Sequence, residues 1–154
     1  MATRTALSSR PSVGILLTTY NGTEFLPAQL DSLLAQTGVS LHVYVFDDCS
    51  SDATMDLLRR YAADHPGLFT LTENRPNSGG TGLNILRNLP TVPDSHDYYA
   101  LADQDDVWLP QKLARAVEIL HGTAKMACLA RSARQHPLRR VTICSAAEVR
   151  AAPM

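Results

Sequence analysis

Over residues 13–120 four short apolar runs alternate with four segments of helical periodicity, and the links between them are brief. Val13-Gly14-Ile15-Leu16-Leu17 is apolar without interruption, which suits a strand buried on both faces rather than one exposed on alternate positions. Residues 41–46, 68–71 and 98–102 read as three more strands. Between them, Phe25, Leu26, Leu30, Leu33 and Leu34 recur at helical spacing over residues 24–36, and Thr23 stands where a cap is expected. Ser50-Ser51-Asp52 offers caps for a second helix carrying Met55, Leu58, Tyr61 and Ala62. A third helix ends near Leu89, and Pro110 suits the first turn of a fourth, which runs to about Leu120. Strand and helix in strict alternation predict an α/β fold with a mostly parallel sheet and flanking helices.

The ends of the chain read differently. Residues 1–12 are polar up to Pro11 and are expected to form a loose leader. Residues 121–154 carry six basic side chains and one acid, Glu148, whereas residues 1–120 carry fourteen acids against eight basic groups. The net charge of −1 hides this change of sign. The tail lacks an amphipathic period, with one apolar run at Val141-Thr142-Ile143-Cys144, and is set apart as an atypical basic segment, disordered or frameshifted.

A near-neutral total gives no reason to expect a nucleic-acid partner. No apolar run approaches the ~18 residues of a membrane helix, so membrane association would be peripheral. The three cysteines, Cys49, Cys128 and Cys144, share no metal-ligand spacing and read as reduced thiols of a cytoplasmic protein. The five histidines show no paired spacing and read as surface or turn residues.

Ligands of open parallel sheets sit beyond the carboxyl ends of the strands. Three distinctive segments fall there: Thr18-Thr19-Tyr20-Asn21-Gly22, Asp47-Asp48-Cys49-Ser50-Ser51-Asp52 and Asp103-Gln104-Asp105-Asp106. Three carboxylates within four residues repel one another unless a cation is present, and a hard ion such as Mg²⁺ or Mn²⁺ takes carboxylate and phosphate oxygens together. A solvated acidic turn, with Asp106 capping a helix, is the competing reading. Asp48 can accept a hydrogen bond from a base or ribose, while Ser51 or Asp52 caps the following helix. Tyr20 suits either core packing or the face of a base. Asn77-Ser78-Gly79-Gly80-Thr81-Gly82 permits close backbone approach to a ligand, or is merely a turn. A nicotinamide-dependent oxidoreductase would need Gly-x-Gly-x-x-Gly after the first strand, where Thr18 to Gly22 stand instead. A phospho-accepting receiver domain would need its acids on strand one and a partner lysine, and these are missing.

Taken together, residues 13–22 (VGILLTTYNG), 43–52 (VYVFDDCSSD), the Asn77-Ser78-Gly79 loop and residues 98–113 (YYALADQDDVWLPQKL) resemble family 2 glycosyltransferases of the GT-A fold. The form of the acidic motif is most similar to the bacterial rhamnosyltransferase-like branch. The resemblance implies that Thr18 and Tyr20 line a nucleotide pocket, Asp48 binds the base, and Asp103 with Asp105 meets the ribose-diphosphate and a Mg²⁺ or Mn²⁺ ion. It further implies a nucleotide-diphosphate sugar donor and a saccharide or lipid-linked saccharide acceptor, used in cell-surface polysaccharide synthesis at the inner face of the membrane. The resemblance covers residues 13–120, a nucleotide-sugar-binding half. The family's further strands, acceptor loop and general base are expected beyond it, and Glu148 stands in no recognisable context for that base. The chain therefore reads as shortened after about residue 120, and an inactive nucleotide-binding relative is the alternative to a working transferase.

Overall fold

The computed structural model describes residues 10–121, 127–128 and 142–145. Strands β1 (Ser12–Thr19), β2 (Ser40–Asp47), β3 (Phe69–Glu73) and β4 (Tyr98–Asp103) pair in parallel. Between them run helices α1 (Leu26–Leu34), α2 (Thr54–Asp64) and α3 (Thr81–Asn88), the last continued by a 3-10 turn at Leu89–Thr91. Helix α4 (Lys112–His121) follows β4. Two further short strands, β5 (Ala127–Cys128) and β6 (Thr142–Ser145), complete a sheet of order β3-β2-β1-β4-β6-β5. Strand β6 pairs antiparallel with β4, and β5 antiparallel with β6. The expected mostly parallel α/β sheet is the fold observed.

The apolar character of β1 has a direct cause. Val13, Ile15 and Leu17 face one layer, where they pack with Leu26, Leu30 and Leu33 of α1, Leu57 and Leu58 of α2, and Leu113, Ala116 and Val117 of α4. Leu16 faces the other way, with Tyr44, Phe46 and Tyr99, under Ile85 of α3 and Leu89. Both faces of the strand are covered, so neither set of alternate positions can be polar. Burying each large aliphatic side chain is worth roughly 1.5–3 kcal/mol, which fixes the register of the central strands.

Several local expectations are corrected. Helix α1 starts at Leu26, not Glu24, and Thr23 does not cap it; the Thr23 hydroxyl donates to Asp52 instead. Helix α4 starts at Lys112, and Pro110 lies before it, with its carbonyl accepting from the Thr37 N–H at 2.9 Å. Asp106 is buried rather than solvated. Tyr20 is 52% exposed and so is not a core residue. His42 and His96 are not plain surface residues: with Tyr44 and Tyr99 they form a half-buried aromatic cluster in which Tyr44 Oη and His96 Nε2 lie 2.8 Å apart.

Strand β1 begins at Ser12, whose N–H and hydroxyl both donate to Asp97 at 2.8 Å. The rest of the expected leader, residues 1–9, lies outside the described residues, as does most of the basic tail. Of the apolar run expected at residues 141–144, Thr142, Ile143 and Cys144 belong to β6, and Val141 lies outside the described residues. Among the described residues no helix is long and apolar enough to cross a membrane.

Candidate functional site

The strand order reverses at β1. The chain steps outward through β2 to β3, then returns to lay β4 on the opposite side of β1. Such a switch point splays the connections leaving the two central strands and opens a crevice at their carboxyl ends. A cleft of about 540 Å³ lies there. Thr18 and Tyr20 enter it from the end of β1, Asp48 from β2, and Asp103 and Asp105 from β4 and the turn after it. Asn77, Gly79, Gly80 and the first residues of α3 close the remaining side. All five residues singled out from the sequence thus share one cleft, together with the Gly-rich loop. The backbone at Gly79 (φ 93°) and Gly80 (φ 155°) is left-handed or extended beyond what other residues favour. A Cβ at Gly80 would meet nothing within 4 Å, so conformation rather than crowding calls for glycine there.

The paired aspartates at the end of β2 divide by strand alternation. Asp47 is fully buried and accepts from Thr19 Oγ1 at 2.8 Å and from the N–H and hydroxyl of Ser50 at 2.9 and 2.6 Å. Asp48 points to the cleft side, where its carboxylate accepts from the Ser78 N–H and hydroxyl, each at 2.8 Å, and from Asn74 Nδ2 at 3.2 Å. It therefore shapes the Gly-rich loop as well as lining the cleft. The helix-capping part of the expectation is corrected: Ala53 stands at the N-cap of α2 with no side-chain cap, and Asp52, one residue earlier, accepts from the Thr54 N–H through Oδ1 at 3.0 Å. Burial pushes the Asp52 carboxyl up, but hydrogen bonds from Thr23 and Thr54 outweigh it and hold the group at about 2. Ser51 instead donates its N–H to Asn21 Oδ1 at 2.8 Å.

Sequence reasoning missed a network of buried asparagines. Asn74 Nδ2 donates to Asn84 Oδ1 at 2.8 Å as well as to Asp48; Asn88 Nδ2 donates to Asn84 Oδ1 and to Asn74 Oδ1 at 2.9 and 3.1 Å. Asn84 Nδ2 donates to the Phe46 carbonyl at 2.8 Å. The available signal was the i,i+4 pair Asn84 and Asn88 on an otherwise apolar helix flank, which places two amides on one face.

Around the acidic turn, Asp106 N–H donates to the Asp103 carbonyl at 3.3 Å. Helix α1 and the residues just after it clamp the segment that follows: Ser32 Oγ accepts from the Trp108 N–H at 3.0 Å, and Gln36 bridges the Leu109 carbonyl and the Leu113 N–H at 2.8 and 3.1 Å. Lys112 is 9% exposed, with its ammonium 4.2 Å from the Trp108 ring centroid. Burial draws its pKa down to about 8, against the opposing charge of Asp106.

Among the described residues no group of three or more His, Cys, Asp or Glu side chains is gathered to hold a metal ion by itself. Two cleft carboxylates fit a different arrangement, in which Mg²⁺ or Mn²⁺ takes one or two protein carboxylates and completes its shell with phosphate oxygens and water. Asp103 and Asp105 supply the donor type for that arrangement.

The family model for glycosyl transferase family 2 matches residues 14–147. The chain belongs to this family. The match runs past residue 120, where the motif spacing stopped, into the segment that supplies β6. Over 105 residues the chain is 30% identical to the dTDP-rhamnosyl transferase RfbG of Shigella flexneri, covering 68% of this chain and 36% of that protein. It is 32% identical over 115 residues to the succinoglycan biosynthesis protein ExoO of Rhizobium meliloti, covering 73% and 31%. Among solved structures, the mannosyltransferase PcManGT of Pyrobaculum calidifontis, in complex with GDP-Man and Mn²⁺, superposes with a TM-score of 0.70 at 28% identity, over 80% of this chain and 37% of that one. The fold is the GT-A fold, and the chain spans about a third of the length of these relatives.

Proposed function

We propose that the cleft binds the nucleoside diphosphate part of a nucleotide-sugar donor together with Mg²⁺ or Mn²⁺, for transfer of the sugar to a saccharide or lipid-linked saccharide acceptor in cell-surface polysaccharide synthesis. The supporting observation is the convergence of Thr18, Tyr20, Asp48, Asp103 and Asp105 on one cleft at the switch point. On this reading the exposed ring of Tyr20 lies against the base or ribose, and Asp48 accepts from the base. Asp103 meets the ribose-diphosphate, and Asp103 with Asp105 would hold the cation. When bound, the cation would offset charge that grows on the departing diphosphate. A rhamnosyl donor is the preferred reading, supported by the likeness to the transferase of Shigella flexneri. Membrane association, if any, is peripheral, at the cytoplasmic face.

A second reading has its own observation. Asp48, Asp103 and Asp105 are the carboxylates lining the cleft among the described residues, and the reading above gives each of them a donor-side role. None remains to act as general base on an acceptor hydroxyl, a task that needs a group within hydrogen-bond reach of that hydroxyl. This favours a chain that binds the donor without transferring it. Calorimetry with dTDP and Mn²⁺, beside a turnover assay with dTDP-rhamnose, separates the two. Binding with turnover supports the transferase, binding alone supports the inactive relative, and no binding in the presence of Mn²⁺ refutes both.

A further inference from the structure

Gln104, between Asp103 and Asp105 of the acidic motif, performs a task that neither carboxylate could. Its Oε1 accepts the Tyr20 N–H at 2.8 Å, and its Nε2 donates to the Tyr20 carbonyl at 2.9 Å. The β1–β4 ladder ends at the pair Thr18–Asp103. Beyond that point the side-chain amide of Gln104 takes the place of a strand and satisfies both backbone groups of Tyr20. The far side of the same turn is held by the segment after β2: Asn21 N–H donates to Ser50 Oγ at 2.9 Å and Gly22 N–H to Thr54 Oγ1 at 2.8 Å.

A separate observation supports the clasp. An ideal Cβ on Gly22 would lie 2.2 Å from Gln104 Oε1 and 2.7 Å from its Cδ. Gly22 is not among the residues of positive φ, so its backbone is open to other amino acids. Glycine is needed at this position to make room for the amide.

We infer that Gln104 is a positioning residue that locks the Tyr20 wall of the cleft to the Asp103–Asp105 turn, so that base and diphosphate are met at one fixed spacing. The inference rests on the donor-binding reading above. The geometry demands an amide of this length. A carboxylate can accept from the Tyr20 N–H but cannot donate to its carbonyl, a lysine can donate but not accept, and asparagine is one methylene short.

The test uses the full chain and two measurements. In thermal unfolding without nucleotide, Gly22→Ala should lower Tm by several degrees, because the new methyl displaces the amide. In a Gln104→Ala background the same substitution should lower it little further. In calorimetry with dTDP and Mn²⁺, Gln104→Ala and Gln104→Glu should each weaken binding by about tenfold or more, as expected for the loss of one or two hydrogen bonds that fix a ligand wall. Gln104→Glu is the discriminating variant, since its added charge should preserve or raise affinity for Mn²⁺ alone while nucleotide affinity falls. An equal cost of Gly22→Ala in both backgrounds overturns the clasp, and wild-type affinity for dTDP and Mn²⁺ in Gln104→Glu overturns its role in binding. If the unsubstituted chain binds no dTDP with Mn²⁺, the donor-binding reading and that role fall together, while the Tm cycle still judges the clasp by itself.

Discussion

Replacing Asn74 with alanine removes the hub of the buried amide network while leaving the cleft lining itself intact. Three side-chain hydrogen bonds go with it: to the Asp48 carboxylate at 3.2 Å, to Asn84 Oδ1 at 2.8 Å, and from Asn88 Nδ2 at 3.1 Å. A bond to a charged group is worth roughly 1.5–3 kcal/mol and a neutral one roughly 0.5–1.5. With the first near the long end of the range, the total is about 3 kcal/mol. Asn74→Asp is nearly the same shape but turns the donor into an acceptor facing Asp48 and Asn84, and it adds a buried charge beside that of Asp48. It should therefore cost more than alanine at neutral pH and recover partly in acid, where a protonated carboxyl can donate again. Urea unfolding of the three chains at pH 7 and pH 5, read as a shift in midpoint at constant slope, measures this. A cost below about 1 kcal/mol for Asn74→Ala, or Asn74→Asp tolerated as well as alanine, would refute the network as a structural unit.

Two other expectations follow from single residues. Asp105→Ala should abolish the Mn²⁺-dependent part of dTDP binding while leaving the melting temperature nearly unchanged; equal affinity with and without Mn²⁺ in both chains would count against Asp105 as a ligand. Lys112 should make stability rise with pH between about 8 and 10: its folded pKa is about 8, against an ordinary 10.5, so the unfolded chain binds more protons in that window. Above about 10 the sign reverses, because burial and a hydrogen bond to Asp31 hold the Tyr61 phenol up to about 12 and the folded chain then keeps the proton longer. Lys112→Gln should flatten the rise, as read by unfolding midpoints across that range.

What was legible in the sequence is what depends on periodicity and on strand ends. An uninterrupted run such as residues 13–17 can be buried only on both faces, and alternation with helices then requires a parallel sheet. Once strand ends are known, Thr18, Asp48 and Asp103 fall on one edge without further information. The turn chemistry was hidden because it depends on partners far along the chain. Thr23 looks like a helix cap from its neighbours, yet its hydroxyl goes to Asp52. Gln104 looks like a spacer between acids, yet its partner is Tyr20, 84 positions away. Likewise His42 and His96 carry no local signal, and only the pairing of β1 with both β2 and β4 brings His42 of β2 near His96 in the bend before β4.

The electrostatics of the cleft permit a stricter test of the donor-binding reading than affinity alone. Its lining includes three carboxylates, and among the described residues no lysine or arginine lines it. Asp48 is compensated by Ser78 and Asn74, but hydrogen-bond donors do not cancel its net charge as a cation would. Two unit charges of one sign about 5 Å apart repel by about 3 kcal/mol at an effective dielectric constant of ~20. A diphosphate brought to the Asp103–Asp105 turn without a cation therefore meets a penalty that the uncharged nucleoside escapes. With divalent ions chelated, thymidine should bind more tightly than dTDP; with Mn²⁺ present the order should invert, because the ion converts the repulsion into two attractions. Calorimetry of the same chain under both conditions decides it. If dTDP outbinds thymidine in the chelator as strongly as in Mn²⁺, the phosphates do not lie against these aspartates, and the ligand must sit in the cleft in some other orientation.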